Sequence, residues 1–197
     1  MELDPATMPC YAVLTGLVTP RPVAWVTTVS PAGVVNLAPF SYFNPMGDAP
    51  PLVAFAPVRR PDGSRKDTLA NLGTCPEFVL NLVTEETVAA CNLTSKAAPA
   101  DESEVLLAGL ATVPSTRVRP PRVAGSPAHL ECVVRHLLPF GTHPGASTVV
   151  LGEVVRVHVE ESVLTAGMPD PGKLRAVGRL GGTAWCRTTD RFDLPRP

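Results

Sequence analysis

A cluster of cationic and hydroxyl residues stands where a helix is predicted to begin. Arg59 and Arg60 end an apolar run, and residues 64–68 (Ser-Arg-Lys-Asp-Thr) open the predicted helix. A helix N-terminus with a lysine, a hydroxyl and nearby arginines can bind a phosphate, because its free N–H groups and its dipole favour an anion. The same residue types are also common at exposed helix starts, where their charges are simply solvated. The spacing alone leaves both interpretations open.

A second polar segment, residues 36–45 (Asn-Leu-Ala-Pro-Phe-Ser-Tyr-Phe-Asn-Pro), lies upstream of this cluster. Its prolines exclude a regular helix and a central strand. Such a segment presents backbone amides and carbonyls along a groove, which suits the edge of a flat heteroaromatic ring. Residues 20–68, which include both segments, are therefore the most informative part of the chain.

The common catalytic and metal-binding motifs are missing from the sequence. The histidines at 129, 136, 143 and 158 form no HExxH motif or other pair with metal spacing. Ser41 lacks the GxSxG elbow of a nucleophile. A Walker loop and a strand-linked GxGxxG motif are also missing, which argues against a Rossmann site. We therefore predict no catalytic side chain and no metal, as in an enzyme whose cofactor carries the chemistry.

The elements that must position these residues are mainly strands. The 23 prolines exclude long helices over much of the chain. Six short apolar and β-branched runs predict strands, and three capped segments predict short helices. The strands are expected at residues 23–29, 34–37, 52–58, 77–83, 128–138 and 147–160, and the helices at 67–73, 84–93 and 101–110. This balance predicts a mainly β protein, a small barrel with helices on its outside.

Length, charge and cysteine content narrow the class of protein. A chain of 197 residues fits a single domain over residues 1–197. The formal net charge of −1 provides no basic face for nucleic acid, and no apolar run is long enough for a membrane span. The five cysteines form no CxxC pair and predict neither disulfides nor zinc. Residues 1–10 lack the basic start of a secretory signal, so we expect a cytoplasmic protein.

Four blocks follow one another along the chain: residues 20–28 (PRPVAWVTT), 36–41 (NLAPFS), 66–71 (KDTLAN) and 77–82 (EFVLNL). In their order and spacing they resemble the flavin reductase-like family, and its flavoredoxin branch in particular. Residues 152–155 (GEVV) and 177–182 (VGRLGG) are similar to later signatures of the family. The resemblance covers a core of about residues 10–185. It implies a six-stranded Greek-key split β-barrel that binds FMN at the interface of a homodimer.

The resemblance also implies which residues contact FMN. Those expected to line the isoalloxazine ring and the ribityl chain are Thr27, Thr28, Asn36, Leu37, Ala38 and Ser41. Lys66 and Thr68, together with Arg59, are expected to hold the phosphate. Asp67 is expected to cap its helix, since its charge would repel an anion. Arg179 is expected to reach the flavin site of the partner subunit.

In function, the family implies an NAD(P)H-dependent flavin reductase. NADH or NADPH would give a hydride to FMN, and a flavin-dependent monooxygenase or another electron acceptor would receive the reduced flavin or its electrons. Two departures from the family pattern affect the hydride-donor side: Trp185 stands where a tyrosine is frequent, and residues 141–145 (Gly-Thr-His-Pro-Gly) replace a Gly-Asp-His stretch. These departures leave the role of His143 open. Two alternatives to the reductase therefore remain: an FMN electron carrier without its own NAD(P)H site, and a non-redox ligand-binding barrel. The sequence does not choose between NADH and NADPH, name the acceptor, or say whether FMN is resident or diffusing.

Overall fold

The apolar runs assemble into one antiparallel sheet of seven strands. The computed structural model describes residues 2–196. The strands of this sheet are β1 (Ala24–Val29), β2 (Val35–Phe40), β3 (Phe43–Asp48), β4 (Pro51–Phe55), β5 (Glu77–Asn81), β8 (Ala128–Pro139) and β9 (Thr148–Val159). Their order across the sheet is β2-β1-β5-β8-β9-β4-β3. Three small hairpins complete the β structure: β6 (Thr112–Val113) with β7 (Arg122–Val123), β10 (Leu164–Thr165) with β11 (Met168–Pro169), and β12 (Val177–Arg179) with β13 (Trp185–Arg187).

The sheet curls until its two outer strands meet at a corner. Only Ser41 and Tyr42 separate the end of β2 from the start of β3. Phe40 of β2 packs against Phe55 of β4 with ring centroids 5.2 Å apart, although these strands are far apart in the strand order. Within residues 2–196 no ladder joins β2 to β3, so the sheet is split rather than closed. The fold is mainly β with short helices, as predicted, but the sheet has seven strands instead of six and its Greek-key closure is not confirmed.

One hydrophobic core fills the inside of this curl. Its members come from both halves of the sheet and from the helix that follows residue 66, and they include Val26, Phe55, Leu72, Phe78 and Val150. Phe78 and Phe55 pack edge to face with centroids 5.3 Å apart. Because one core spans distant strands, the inner face of the sheet is fixed as a unit.

The three predicted helices are shorter than the sequence indicates, and two further helices were not predicted. The helices are α1 (Cys10–Leu17), α2 (Asp67–Leu72), α3 (Val88–Leu93), α4 (Glu104–Leu107) and α5 (Pro171–Leu174), with a 3₁₀ turn at Glu161–Val163. Of these, α1 and α5 were not predicted. Helix α3 begins late because the Thr84 amide donates to Thr87 Oγ1 (2.9 Å) in a local turn. Helix α4 ends early because Gly109 adopts a left-handed φ of +63°.

Two of these helices lie over the β1–β2 edge of the sheet. Helices α2 and α4 both pack against β2, and α2 also packs against β1. Within residues 2–196 no helix is long and apolar enough to cross a membrane. The single domain over residues 1–197 stays a prediction, and its Met1 and Pro197 lie outside the described residues.

Candidate functional site

A cavity of about 220 Å³ lies between the outer edge of β2 and the start of α2. It brings together four of the residues that the sequence singles out: Asn36, Ala38, Lys66 and Thr68. Residues 94–98 and Glu104 also line it. The polar segment and the cationic cluster of the sequence therefore border one space.

Two further cavities are linked to this one through shared lining residues. A neighbour of about 180 Å³ shares Pro39 and Ser95 with it and adds Ser41, Arg179 and Trp185. A third cavity of about 430 Å³ in turn shares Arg179 and Trp185 with the second. Together they form a groove, here called the β2 groove, that runs from Lys66 past Pro39 to Trp185.

Lys66 lies at the positively charged end of the β2 groove, which Arg60 and Lys96 also line. Its Nζ lies 5.5 Å from the centre of the Phe40 ring. Burial lowers the pKa of Lys66, and the nearby charge of Arg60 lowers it further, while Asp67 acts in the opposite direction. None of the ion pairs found among residues 2–196 includes Lys66. A half-buried ammonium group without a carboxylate partner is a favourable place for an anion.

Asp67 does not act as the cap of α2. Lys66 occupies the N-cap position and forms no side-chain capping bond, and Asp67 is the first helical residue. The Asp67 carboxylate pairs instead with the Arg60 guanidinium. The capping prediction is therefore wrong, although Asp67 is still neutralised by a cation of this chain.

Arg59 lines none of the three cavities of the β2 groove, but it keeps an unused donor. Its Nη1 donates to the Gly63 carbonyl (2.8 Å), and its backbone N–H donates to the Ala146 carbonyl (2.9 Å). The Arg59 Nε is buried and has no hydrogen-bond partner among residues 2–196. Buried donors are normally paired. Because Arg59 lines none of the three cavities, its contact with a phosphate stays a prediction.

The hydroxyls of Thr28 and Thr68 point into the protein. Thr68 Oγ1 donates to Asn36 Oδ1 (2.8 Å), and Thr28 Oγ1 lies 3.3 Å from the same oxygen. Asn71 Nδ2 donates in turn to Thr28 Oγ1 (3.1 Å). Both threonine side chains are buried. These hydroxyls hold the Asn36 amide from its buried side. A direct bond from either hydroxyl to a ligand stays a prediction.

Thr27, Leu37 and Ser41 are also held by the protein itself. Thr27 is fully buried and donates to the Pro121 carbonyl (2.6 Å). The Leu37 side chain is buried in a hydrophobic cluster with Trp25. Ser41 Oγ accepts from Arg21 Nε (3.4 Å) and lines the middle of the groove. Thr27 and Leu37 thus underlie the groove, whereas Ser41 reaches it.

Arg179 and Trp185 form the far end of the β2 groove. The Arg179 guanidinium carbon lies 4.8 Å from the Trp185 ring centre, a cation–π distance, and Nη2 donates to the Gly182 carbonyl (2.8 Å). This pair belongs to the groove of its own chain. The expected contact with a partner's flavin stays a prediction.

His143 lines none of the three cavities of the β2 groove. It is exposed, and its Nδ1 lies 3.0 Å from the Pro144 carbonyl. Its loop packs against residues 59–63, where a side chain at Gly63 would touch Thr142 and Pro144. The role of His143 in hydride donation is untested.

Glu104 is the wall residue that sequence reasoning missed. It is only 7 % exposed, although it lies in the first turn of a short helix, where acidic residues are ordinary. Both of its carboxylate oxygens lie 2.9 Å from Asn36 Nδ2, and Oε2 also accepts from the Leu37 amide (2.9 Å). Its partners lie on β2, far away in sequence, so no local pattern could reveal them.

Comparison with known families identifies the chain. The profile described as "flavin reductase like domain" matches residues 16–177. The chain belongs to the flavin reductase-like family. Membership confirms the resemblance carried by the four sequence blocks.

Solved structures of similar chains agree with this assignment. Nitrilotriacetate monooxygenase component B from Bacillus cereus is 36% identical, covers 98% of both chains and superposes with a TM-score of 0.93. A 2-nitrobenzoate 2-nitroreductase from Pseudomonas fluorescens is 32% identical over 100% of this chain and 96% of that chain, with a TM-score of 0.90. Flavoredoxin of Desulfovibrio vulgaris shares the fold at a TM-score of 0.78, with 20% identity over 98% of this chain and 97% of its own.

Proposed function

We propose that this member of the flavin reductase-like family binds FMN in the β2 groove and reduces it with NADH or NADPH. The observation that carries the proposal is the charge at one end of the groove. Lys66 is half-buried there without an anionic partner in residues 2–196, and Arg60 and Lys96 line the same cavity. The other end is planar and aromatic at Trp185. This order of features suits a flat ring that carries a phosphate.

The proposed roles of the residues follow from their positions. Lys66, Arg59 and the backbone at Thr68 hold the phosphate, where a charge-assisted hydrogen bond is stronger than a neutral one. The outer edge of β2, at Asn36, Leu37 and Ala38, orients the ligand along the groove. Ser41 and Arg179 bound the space beside Trp185. Thr27 and Thr28 support this surface from the buried side.

The chemistry would come from the cofactor and its donor. FMN, when bound, supplies a group that accepts a hydride and passes electrons on. The chain contributes binding, orientation and electrostatics, because backbone N–H groups and cations of a groove stabilise negative charge that develops on a ligand. The half-exposed Arg179 and Trp185 leave this end of the groove open to a second planar molecule, the proposed nicotinamide donor.

The proposed assembly is a cytoplasmic homodimer that serves a flavin-dependent monooxygenase or another electron acceptor. The likeness to a monooxygenase component B supports a role in supplying reduced flavin. The likeness to a nitroreductase supports an alternative in which the electrons pass directly to a small acceptor. Both outcomes use the same FMN site.

A second candidate is an FMN electron carrier without its own NAD(P)H site. It is favoured by the position of residues 141–145, which pack against residues 59–63 and leave His143 exposed. A carrier would bind FMN in the same groove and receive electrons from another protein.

The phosphate assignment can be tested by comparing FMN with riboflavin, which lacks the phosphate. We expect Lys66→Ala to weaken FMN binding by about 1.5–3 kcal/mol, the range for a hydrogen bond to a charged group. Riboflavin binding should change little, since its ring and ribityl chain are the same. Fluorescence titration gives both dissociation constants. Lys173→Ala is the matched control, because Lys173 is exposed and lies outside the groove. Equal losses for FMN and riboflavin, or no loss for either, would refute the assignment of Lys66.

A further inference from the structure

The clearest unexplained feature of the β2 groove is a buried carboxylate in its wall. Glu104 has no cationic partner: none of the ion pairs found in residues 2–196 includes it. Removing a charge from water is costly unless it is compensated. Docking α4 onto β2 does not require this charge by itself, since Ser103 Oγ already donates to the Val35 carbonyl (2.6 Å). The carboxylate must therefore be explained by what it does to its partners.

Glu104 determines which way the Asn36 amide faces. A carboxylate only accepts hydrogen bonds, so the NH₂ group of Asn36 has to face Glu104, and its Oδ1 has to face the opposite way. There Oδ1 accepts from Thr68 Oγ1 (2.8 Å) and lies 3.3 Å from Thr28 Oγ1. The amide orientation is thus fixed from both sides.

This arrangement leaves one N–H of Asn36 unused. Nδ2 lies 2.9 Å from both oxygens of the same carboxylate. Those oxygens are too close together to accept two straight bonds from N–H bonds that diverge by roughly 120°. One N–H therefore serves Glu104, and the other has no partner among the hydrogen bonds found in residues 2–196. Asn36 lines the cavity, where a ligand can accept from that N–H.

We propose, on the basis of the FMN site described above, that Glu104 is a positioning residue that holds Asn36 as a hydrogen-bond donor to the bound flavin. It acts through Asn36 and through the Leu37 amide, and it does not itself contact the ligand. Replacing its carboxylate by an amide would leave one acceptor oxygen for the Leu37 amide and put an NH₂ group in the other position, 2.9 Å from the NH₂ group of Asn36. We expect the Asn36 amide to turn over and relieve this contact, so that the cavity loses its donor.

A double-mutant cycle on FMN affinity tests this coupling. The variants are Glu104→Gln, Asn36→Ala and the double variant, with FMN dissociation constants from fluorescence quenching. We expect Glu104→Gln to weaken FMN binding about tenfold in the wild-type background, the size of one lost hydrogen bond. In the Asn36→Ala background the same change should cost less than about twofold, because the donor is already gone.

A second buried carboxylate provides a matched control. Glu131 of β8 is fully buried and accepts from the amides of Thr116 (2.8 Å) and Arg117 (2.6 Å), and unlike Glu104 it also pairs with His158 Nε2 (2.6 Å). It lies outside the β2 groove. Glu131→Gln should lower the unfolding temperature while leaving FMN affinity within about twofold. A role of Glu104 in folding alone would produce this same pattern for Glu104→Gln.

The outcomes separate the two proposals. Equal, additive losses for Glu104→Gln in both backgrounds would overturn the positioning role and leave the FMN site intact. Wild-type protein that binds no FMN would overturn the proposed function first. If Glu104→Gln does not fold, Glu104→Asp takes its place in the cycle, since it keeps the charge but moves the oxygens away from Asn36. Coupling to Asn36 is again the expected result, and additivity the result that contradicts it.

Discussion

Lys66 is the residue on which the proposed function depends most. It is half-buried and lacks an ion-pair partner in the described residues, yet it borders an open cavity. Its burial and the nearby Arg60 hold its pKa below the usual value for lysine. A bound phosphate dianion would reverse this, because an opposite charge favours the protonated form.

FMN affinity should therefore depend on pH in a defined direction. The protonated form of Lys66 binds the phosphate, so affinity is greatest below the pKa of Lys66 in the free protein and falls as pH rises through it. Because that pKa is lowered, the fall should begin at a lower pH than for an exposed lysine, with a slope of up to about tenfold per pH unit for one proton. FMN titrations from neutral to alkaline pH measure it.

Two controls isolate the contribution of Lys66. Riboflavin shares the ring and its ionisation but not the phosphate, so its affinity should lack this step. Lys66→Arg should flatten the FMN profile, because guanidinium does not titrate in this range. An FMN profile that is unchanged in Lys66→Arg would contradict the account.

At the residue scale, the sequence predicted the parts of the groove that lie in local motifs. Asn36, Ala38, Lys66 and Thr68 each stand in a short recognisable block, and the structure brings them to one cavity. Glu104 could not be predicted, because its partners Asn36 and Leu37 lie 68 and 67 positions away. Such a contact exists only after the sheet and α4 have assembled.

At the element scale, the prediction succeeded where apolar runs were continuous and failed where turn residues interrupted them. The long strands β8 and β9 were predicted nearly to their ends. The edge strand β3 was missed because it contains Pro45 and Gly47, which normally argue against a strand. An edge strand tolerates both, and its register shifts between these residues.

One glycine of β9 is required by close packing of the sheet. A Cβ on Gly152 would lie 2.4 Å from Cζ of Phe78, which is fully buried and cannot move away from Phe55. We expect Gly152→Ala to lower the free energy of unfolding by about 1–3 kcal/mol, as overpacking of a core does. Denaturant unfolding measures the change.

Gly16→Ala is the control, and we expect it to change the free energy of unfolding in the opposite direction. Gly16 lies in α1, and a Cβ there would meet nothing within 4 Å. Gly16→Ala should raise the free energy of unfolding by roughly 0.5–1 kcal/mol, because alanine favours the helix. If the Gly152→Ala variant has the same free energy of unfolding as the wild type, β9 and Phe78 do not pack as described.

At the scale of the whole molecule, the curled sheet explains why the groove lies where it does. The strand order brings β2 to one edge, and α2 and α4 cover that edge only in part. The space left between them is the Lys66 end of the groove, and the hairpin β12–β13 supplies Arg179 and Trp185 at the other end. Sequence patterns could predict single strands and helices. They could not predict this arrangement of distant elements, because it depends on how the sheet curls around its core.

The central claim is that this chain binds FMN and reduces it with a nicotinamide donor. The most direct measurement is the visible absorption spectrum of the protein with stoichiometric FMN under anaerobic conditions, before and after NADH or NADPH is added, with dithionite as the final step. We expect the bound flavin bands to bleach with one of the two nucleotides. Bands that persist with both nucleotides and bleach only with dithionite would contradict the reductase and leave the electron carrier. FMN that passes a desalting column unbound, with its fluorescence unchanged by the protein, would contradict the flavin site itself.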